Sequence, residues 1–126
     1  MGDSFMLPKP GQDTEHLWVL ITRPNPQTHA AIMVNITTQR PHSDTTTILN
    51  AGEHPFVQKP SVIFYADARP VDVRLLDQSI AGGAFRAHAT FSAAVLKKIQ
   101  DGVMKSPFTP RKIKDAYAAA VAAGLA

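Results

Sequence analysis

Residues 31–36 have the sequence Ala-Ile-Met-Val-Asn-Ile, in which the alternation typical of a strand is clearest. Successive residues of a strand point to opposite sides, so the side chains of Ile32, Val34 and Ile36 project to one face of the extended chain. Such alternation is typical of a strand that packs one face against a core. We therefore predict a strand over His29–Thr37, at the centre of a β-rich segment.

Short segments rich in β-branched and aromatic residues flank this strand and are bounded by proline or glycine. They predict further strands at His16–Thr22, Thr45–Leu49, Ser61–Tyr65, Val71–Leu76 and Phe85–Ala89. No long helical pattern separates any two of these segments. The sequence therefore favours a small SH3-like antiparallel barrel over a parallel sheet with crossover helices.

The hydrophobic period changes after residue 90. Val95, Ile99 and Val103 recur every four residues behind Ser92, a favourable N-cap, and predict a helix over 92–104. Thr109 as N-cap and Pro110 as first helical residue predict a second helix over 110–123. The predicted fold class is mainly β (α+β), with a single domain over 1–126 that divides into a barrel over 1–90 and a helical part over 91–126.

The composition narrows the classes of function. The chain has 126 residues, a net charge of +3 and no cysteine, which excludes disulfides, thiol nucleophiles and cysteine-based metal sites. Its apolar runs are far shorter than the roughly 20 residues of a membrane helix, and no secretory signal is visible. We therefore expect a cytoplasmic protein without a membrane partner. The surplus of positive charge falls in residues 51–126 and is compatible with a nucleic-acid partner.

One loop of the sequence concentrates titratable groups. No phosphate-binding loop or HExxH motif is present, and the five histidines lack metal-ligand spacing. The loop over 51–61, rich in glycine and proline, nevertheless places His54 and Lys59 between two predicted strands, and loops on rigid scaffolds commonly carry sites. The alternative interpretation is a turn in which Phe56 plugs the end of the barrel and His54 is solvated.

Polar residues also mark two of the predicted strands. Tyr65, Asp67 and Arg69 stand at alternate positions, so an extended strand places them on one face, where they suit a phosphate and its attacking hydroxyl. The alternative is a solvated pair of Asp67 with Arg69, which contributes little to stability. The central strand ends in the hydroxyls of Thr37 and Thr38 and is followed by Arg40.

These stretches, in this order, resemble the MazF/PemK family of toxin endoribonucleases. The resemblance covers roughly residues 2–104 and rests on Gly2-Asp3, the strand Ile32–Ile36 ending in Thr37-Thr38, Ser61–Asp67, Ile80–Gly83 with Phe85, and the helix Ser92–Gly102. It implies an SH3-like barrel, a homodimer, a small antitoxin protein as partner and single-stranded RNA as substrate, with neither a metal nor another cofactor. Two positions depart from the family, since Pro26–His29 lacks the usual arginine and Tyr65 stands where some members have one.

The reaction implied by this resemblance is attack of a ribose 2′-hydroxyl on the neighbouring phosphate. It needs a base, for which Asp67 and His54 are both candidates, and groups around the phosphoryl oxygens. Arg69 could hold the phosphate, and the hydroxyls of Thr37 and Thr38 could donate to its oxygens. The candidate catalytic residues are therefore Asp67, Arg69, His54, Thr37 and Thr38. The candidate substrate-binding residues, of which three offer rings for base stacking, are Lys59, Tyr65, Arg40, Phe56 and Trp18.

A non-catalytic binding module is the competing class of function. A barrel that lacks the family's arginine would still bind nucleic acid or a protein through the same face. The basic helix start Arg111–Lys114 would then be an electrostatic contact that weakens with salt. A metal-dependent hydrolase that uses His and Asp is disfavoured by the absence of ligand spacing. An RNA cleavage assay separates the first two classes, because only the enzyme makes product.

Overall fold

The computed structural model describes residues 1–8 and 15–126 and contains one antiparallel sheet with three helices. In chain order the elements are β1 (Ser4–Pro8), β2 (Glu15–Leu20), β3 (Ala30–Thr38), β4 (Ile48–Leu49), β5 (Ser61–Asp72), α1 (Val73–Ala81), β6 (Arg86–His88), α2 (Ala93–Lys105) and α3 (Arg111–Ala122). The strand order is β4-β5-β3-β2-β1-β6, and the sheet curls into a half-barrel. The predicted α+β class with a barrel-like antiparallel sheet is confirmed.

The main core lies between the concave face of the sheet and the two C-terminal helices. Ile32, Val34 and Ile36 of β3 all belong to it, so the predicted alternation is confirmed. From the helices, the core receives Val95, Leu96, Ile99, Val103, Ile113 and Tyr117. Burying these apolar side chains is the dominant favourable contribution to folding.

The helix ends follow the sequence closely, with one exception. The hydroxyl of Ser92 accepts a hydrogen bond from the backbone N–H of Val95 at 3.2 Å and so caps α2, as predicted. Thr109 does not cap α3: the helix begins at Arg111, and the hydroxyl of Thr109 is buried without a partner among the described residues. Within residues 1–8 and 15–126, no helix is long and apolar enough to cross a membrane.

Two elements differ from the prediction. Val71–Leu76 is not a strand, because β5 continues to Asp72 and α1 begins at the next residue. The carboxylate of Asp72 accepts the backbone N–H of Arg74 at 2.9 Å and acts as the N-cap. In addition, the sequence analysis missed β1, which pairs with both β2 and β6. Its sequence, Ser-Phe-Met-Leu-Pro, contains no β-branched residue and therefore lacks a typical strand signal.

Helix α1 covers one end of the convex face of the sheet. Its buried Leu76 packs in a second, smaller core with Phe5, Trp18, Leu20, Ala31 and Met33. Farther along the same face, Phe64 is directly opposite Asn35 and is 45% exposed. One half of the convex face is therefore packed under a helix, and the other half presents side chains to solvent.

Tyr65 anchors α2 to the sheet. Its fully buried hydroxyl donates a hydrogen bond to the backbone carbonyl of Ile99 at 2.7 Å. Since the phenol has only one proton, the hydroxyl of Thr47, also 2.7 Å away, is the donor in the second bond. A Cβ atom on Gly102 would lie 2.6 Å from Cζ of Tyr65 and closer still to its hydroxyl oxygen. Only glycine fits the helix at this point.

We predict that Gly102→Ala destabilises the protein by about 1–3 kcal/mol, the usual cost of overpacking a core. The added methyl group displaces the Tyr65 hydroxyl and breaks its bonds to Thr47 and Ile99. Urea unfolding measures the effect. Gly82→Ala is the matched control, because its nearest neighbour is the Gln78 carbonyl oxygen at 3.2 Å. Equal losses of stability in the two variants would contradict the proposed close approach.

Candidate functional site

An irregularity in β5 separates Tyr65 from the polar residues that follow it. Asn35 pairs with Phe64, and Met33 pairs with Arg69. Between these two pairs, β3 contains one residue and β5 contains four. Such a bulge resets the alternation of side chains. Tyr65 therefore points into the main core, whereas Asp67 and Arg69 lie on the convex face. The predicted alignment of Tyr65 with Asp67 and Arg69 is wrong, and Tyr65 is not accessible to a ligand.

Asp67 organises a polar cluster on the convex face. It forms an ion pair with Arg69, and its Oδ2 atom accepts a hydrogen bond from Nδ2 of Asn35 at 2.9 Å. The guanidinium of Arg69 lies 5.1 Å from the ring centroid of Trp18, which is a cation–π distance. Trp18 is buried beneath this arginine, so its ring is not a free stacking surface, contrary to the expectation from the sequence.

His54 lies in a separate, buried environment. Its Nδ1 accepts the backbone N–H of Phe56 at 3.0 Å, and its Nε2 therefore carries the proton and donates to the carbonyl of Ala89 at 2.6 Å. The ring stacks on Phe91 with a centroid distance of 4.3 Å. Burial lowers the pKa of His54, with a smaller opposing effect from the bond to Ala89. Because backbone groups occupy both ring nitrogens, His54 is not free to act as a base.

Phe56 accompanies His54 rather than the polar cluster. Its ring is edge-on to that of His88 with a centroid distance of 6.2 Å, next to the end of β6. Among the described residues, neither His54 nor Phe56 forms a hydrogen bond or an ion pair with Asp67 or Arg69. His54, packed on Phe91, therefore lies apart from Asp67 and Arg69, two of the other candidate catalytic residues.

Three other predicted residues do meet, at the edge where β3 ends and β5 begins. Thr38 is the cross-strand partner of Ser61, and the backbone N–H of Gln39 donates to the carbonyl of Pro60 at 3.1 Å. This bond holds the two chain segments together, and Thr38, Arg40 and Lys59 line a common recess. Within the described ranges, neither Arg40 nor Lys59 forms an ion pair with a carboxylate. The recess therefore carries two cations that have no ion-pair partner in the part of the chain that the structure describes.

A groove of about 430 Å³ adjoins this recess on the convex face. The ends of β3 and β5 form one wall through Thr37 and Phe64, and the loop over 40–44 forms another. Phe108, from the loop between α2 and α3, completes the lining and is 59% exposed. The volume of the groove lies within the range of ligand-binding clefts. The groove therefore combines hydroxyls, a guanidinium, the carboxylate of Asp44 and two accessible aromatic rings.

Asp44 fixes the loop that forms the second wall. Its Oδ2 atom accepts a hydrogen bond from the Ser106 hydroxyl at 2.5 Å, and its Oδ1 accepts the backbone N–H of Thr46 at 3.0 Å. Burial opposes ionisation of this carboxyl group, but the bonds from Ser106 and Thr46 outweigh burial and lower the pKa of Asp44. The loop is thereby tied to the segment that carries Phe108, so the fold itself constructs the groove.

The groove also contains residues that the sequence analysis did not select, namely His42, Ser43, Asp44, Phe64 and Phe108. A signal for the first three was present, because a polar turn follows directly on the strand that ends in Thr37 and Thr38. No comparable signal marks Phe108, which is 64 residues beyond Asp44 and reaches the groove only through the packing of α2 and α3.

Comparison of the chain with protein-family models, with curated proteins and with solved structures finds no significant match in any of the three. Among the described residues, no group of three or more His, Cys, Asp or Glu side chains is arranged to hold a metal ion.

The buried state of His54 generates a prediction for the dependence of stability on pH. The pKa of His54 is lowered in the folded protein, so the unfolded chain binds this proton more readily. The stabilising contribution is complete above the unfolded value of about 6.5 and is lost as the pH falls below it. The free energy of unfolding, measured in urea, should therefore be lower at pH 5 than at pH 7.5. In His54→Gln the difference between the two pH values should be smaller. An unchanged pH dependence in the variant would rule out His54 as its source.

Proposed function

We propose that the protein binds single-stranded RNA in the groove on its convex face. The observation that carries this proposal is the proximity of two cations, Arg40 and Lys59, to the accessible rings of Phe64 and Phe108. Proteins that bind single strands combine positive charge along the backbone with aromatic side chains on which bases stack. A duplex does not offer its base faces in this way, which is why we infer a single strand.

The positions of these groups indicate how one nucleotide would lie in the groove. Arg40 borders both the recess and the groove, so a phosphate held there has Lys59 and the hydroxyl of Thr38 on the recess side and the hydroxyl of Thr37 on the groove side. A base attached to that nucleotide reaches Phe64 along the wall of the groove. The net charge of +3 gives only modest long-range attraction, so contacts within the groove supply the binding energy.

We further propose that the protein is a metal-independent endoribonuclease, the activity implied by its resemblance to the toxin family. The base would be His42, which is exposed and lines the groove beside Arg40. It would take the proton of the ribose 2′-hydroxyl as that oxygen attacks phosphorus. The bond from phosphorus to the 5′-oxygen then breaks, and the leaving oxygen takes a proton from solvent. Arg40 would stabilise the charge that develops on the phosphoryl oxygens.

A non-catalytic RNA-binding module is the second candidate, and one observation favours it. Asp67 is bonded to Arg69 and Asn35, and both nitrogens of His54 are occupied. The two residues assigned as the base from the family resemblance are thus engaged in other interactions. The remaining parts of the toxin hypothesis, a homodimer, an antitoxin partner and a cytoplasmic location, rest on the sequence alone.

Substitution of Arg40 tests RNA binding. Arg40→Ala should weaken binding of a fluorescently labelled single-stranded RNA and reduce the slope of log affinity against log salt by about 0.7, the value for one phosphate contact on a single strand. Fluorescence anisotropy over a series of KCl concentrations measures both. Lys112→Ala removes an equal charge from the exposed start of α3, outside the groove. An equal loss of affinity in both variants would indicate nonspecific attraction and contradict binding in the groove.

Substitution of His42 tests the cleavage mechanism. Loss of a general base lowers a rate by about 10²–10⁴-fold, so His42→Ala should cleave RNA that much more slowly while binding it normally. His16→Ala is the control, because His16 lies on β2 away from the groove. Full activity in His42→Ala would remove His42 from the mechanism. Binding without cleavage by the unmodified protein would instead favour the binding module.

A further inference from the structure

Asn35 has a buried hydrogen-bond acceptor without a partner. The residue is 4% exposed and lies on β3 between its cross-strand partners Trp18 and Phe64. Its Nδ2 donates to the carboxylate of Asp67, and because a carboxylate only accepts, this bond identifies the other end of the amide as the oxygen. That oxygen, Oδ1, has no partner among the described residues. Buried acceptors are almost always bonded, so an unpaired one points to a missing donor.

The neighbours of Asn35 indicate the chemical class of that donor. Arg69 is opposite Met33, two residues along β3 from Asn35, and Phe64 is directly opposite Asn35. The Arg69 guanidinium lies over Trp18, on the other side of Asn35 from Phe64, so across the convex face the order is guanidinium, buried acceptor and exposed ring, with about 5 Å between neighbouring strands. A nucleotide presents its groups in the same order, as phosphate, sugar and base. The acceptor thus stands where a sugar would lie.

We propose that Oδ1 of Asn35 accepts a hydrogen bond from the 2′-hydroxyl of a bound ribose, so that this site selects RNA over DNA. The inference rests on the proposed binding of single-stranded RNA. Arg69, whose side chain is 51% exposed, would bind the second of the two phosphates that flank this nucleotide, the first being held at Arg40. Asp67 is a positioning residue, because its bond to Nδ2 keeps the amide oxygen directed at the sugar. The 2′-hydroxyl is the donor that DNA lacks.

Three oligonucleotides of one sequence, differing only in the sugar, test this assignment. The unmodified protein should bind the ribose form about tenfold more tightly than the 2′-deoxy form, as expected for one hydrogen bond that satisfies a buried group. The 2′-O-methyl form, which keeps the oxygen but lacks the proton, should bind no better than the 2′-deoxy form. Anisotropy titrations at one salt concentration give all three affinities.

The variant Asn35→Leu, similar in volume but without the acceptor, should bind the ribose form as weakly as the 2′-deoxy form while its affinity for the latter is unchanged. Equal binding of the ribose and 2′-deoxy forms by the unmodified protein would overturn the inference and leave nucleic-acid binding intact. A ribose preference that survives in Asn35→Leu would overturn it as well. Absence of binding to any of the three would overturn the proposed function and this inference with it. The comparison of sugars needs no variant, so it decides the question even if Asn35→Leu fails to fold.

Discussion

The contact between the Tyr65 hydroxyl and α2 is the constraint on which the rest of the architecture depends. The hydroxyl bonds to Thr47 before β4 and to the Ile99 carbonyl within the helix, and so joins three distant segments. Burial raises the pKa of Tyr65 far above its usual value, so the phenol stays protonated and keeps its donor. Gly102 lets the helix approach closely enough for this bond. Moving α2 outwards would open the main core, because Val95, Ile99 and Val103 all enter it from this helix.

The bulge that follows Tyr65 connects the core to the candidate site. A regular strand would place Tyr65 and Asp67 on the same face, and one of them would then be misplaced. With the bulge, β5 supplies an anchor to the concave side and a carboxylate to the convex side within three residues. The stability of the core and the geometry of the site are therefore set by one local departure from regular pairing. Bulges at functional sites commonly serve to redirect side chains in this way.

Much of the fold could be predicted because its signals are local. The alternation of Ile32, Val34 and Ile36 and the four-residue spacing behind Ser92 each specify an element without reference to the rest of the chain. The site was less accessible to sequence reasoning. His54 and His42 both occur in polar, turn-rich stretches of the sequence. Tertiary packing on Phe91 buries His54, whereas His42 stays exposed, and neither outcome is visible in the local sequence. The bulge after Phe64 likewise has no signature in the sequence, since no glycine marks it.

The bond from His54 to Ala89 has a consequence for how the chain behaves with other copies of itself. β4 and β6 form the two edges of the sheet. His54 lies in the loop after β4, and Ala89 directly follows β6, so the hydrogen bond between them joins the two edges in a seam. Open strand edges are templates for pairing between molecules, and both of these are only two or three residues long. Protonation of the buried ring would remove the acceptor for the Phe56 N–H but keep the Nε2 donor to Ala89, so the seam that keeps these edges from pairing with other molecules would persist in mild acid.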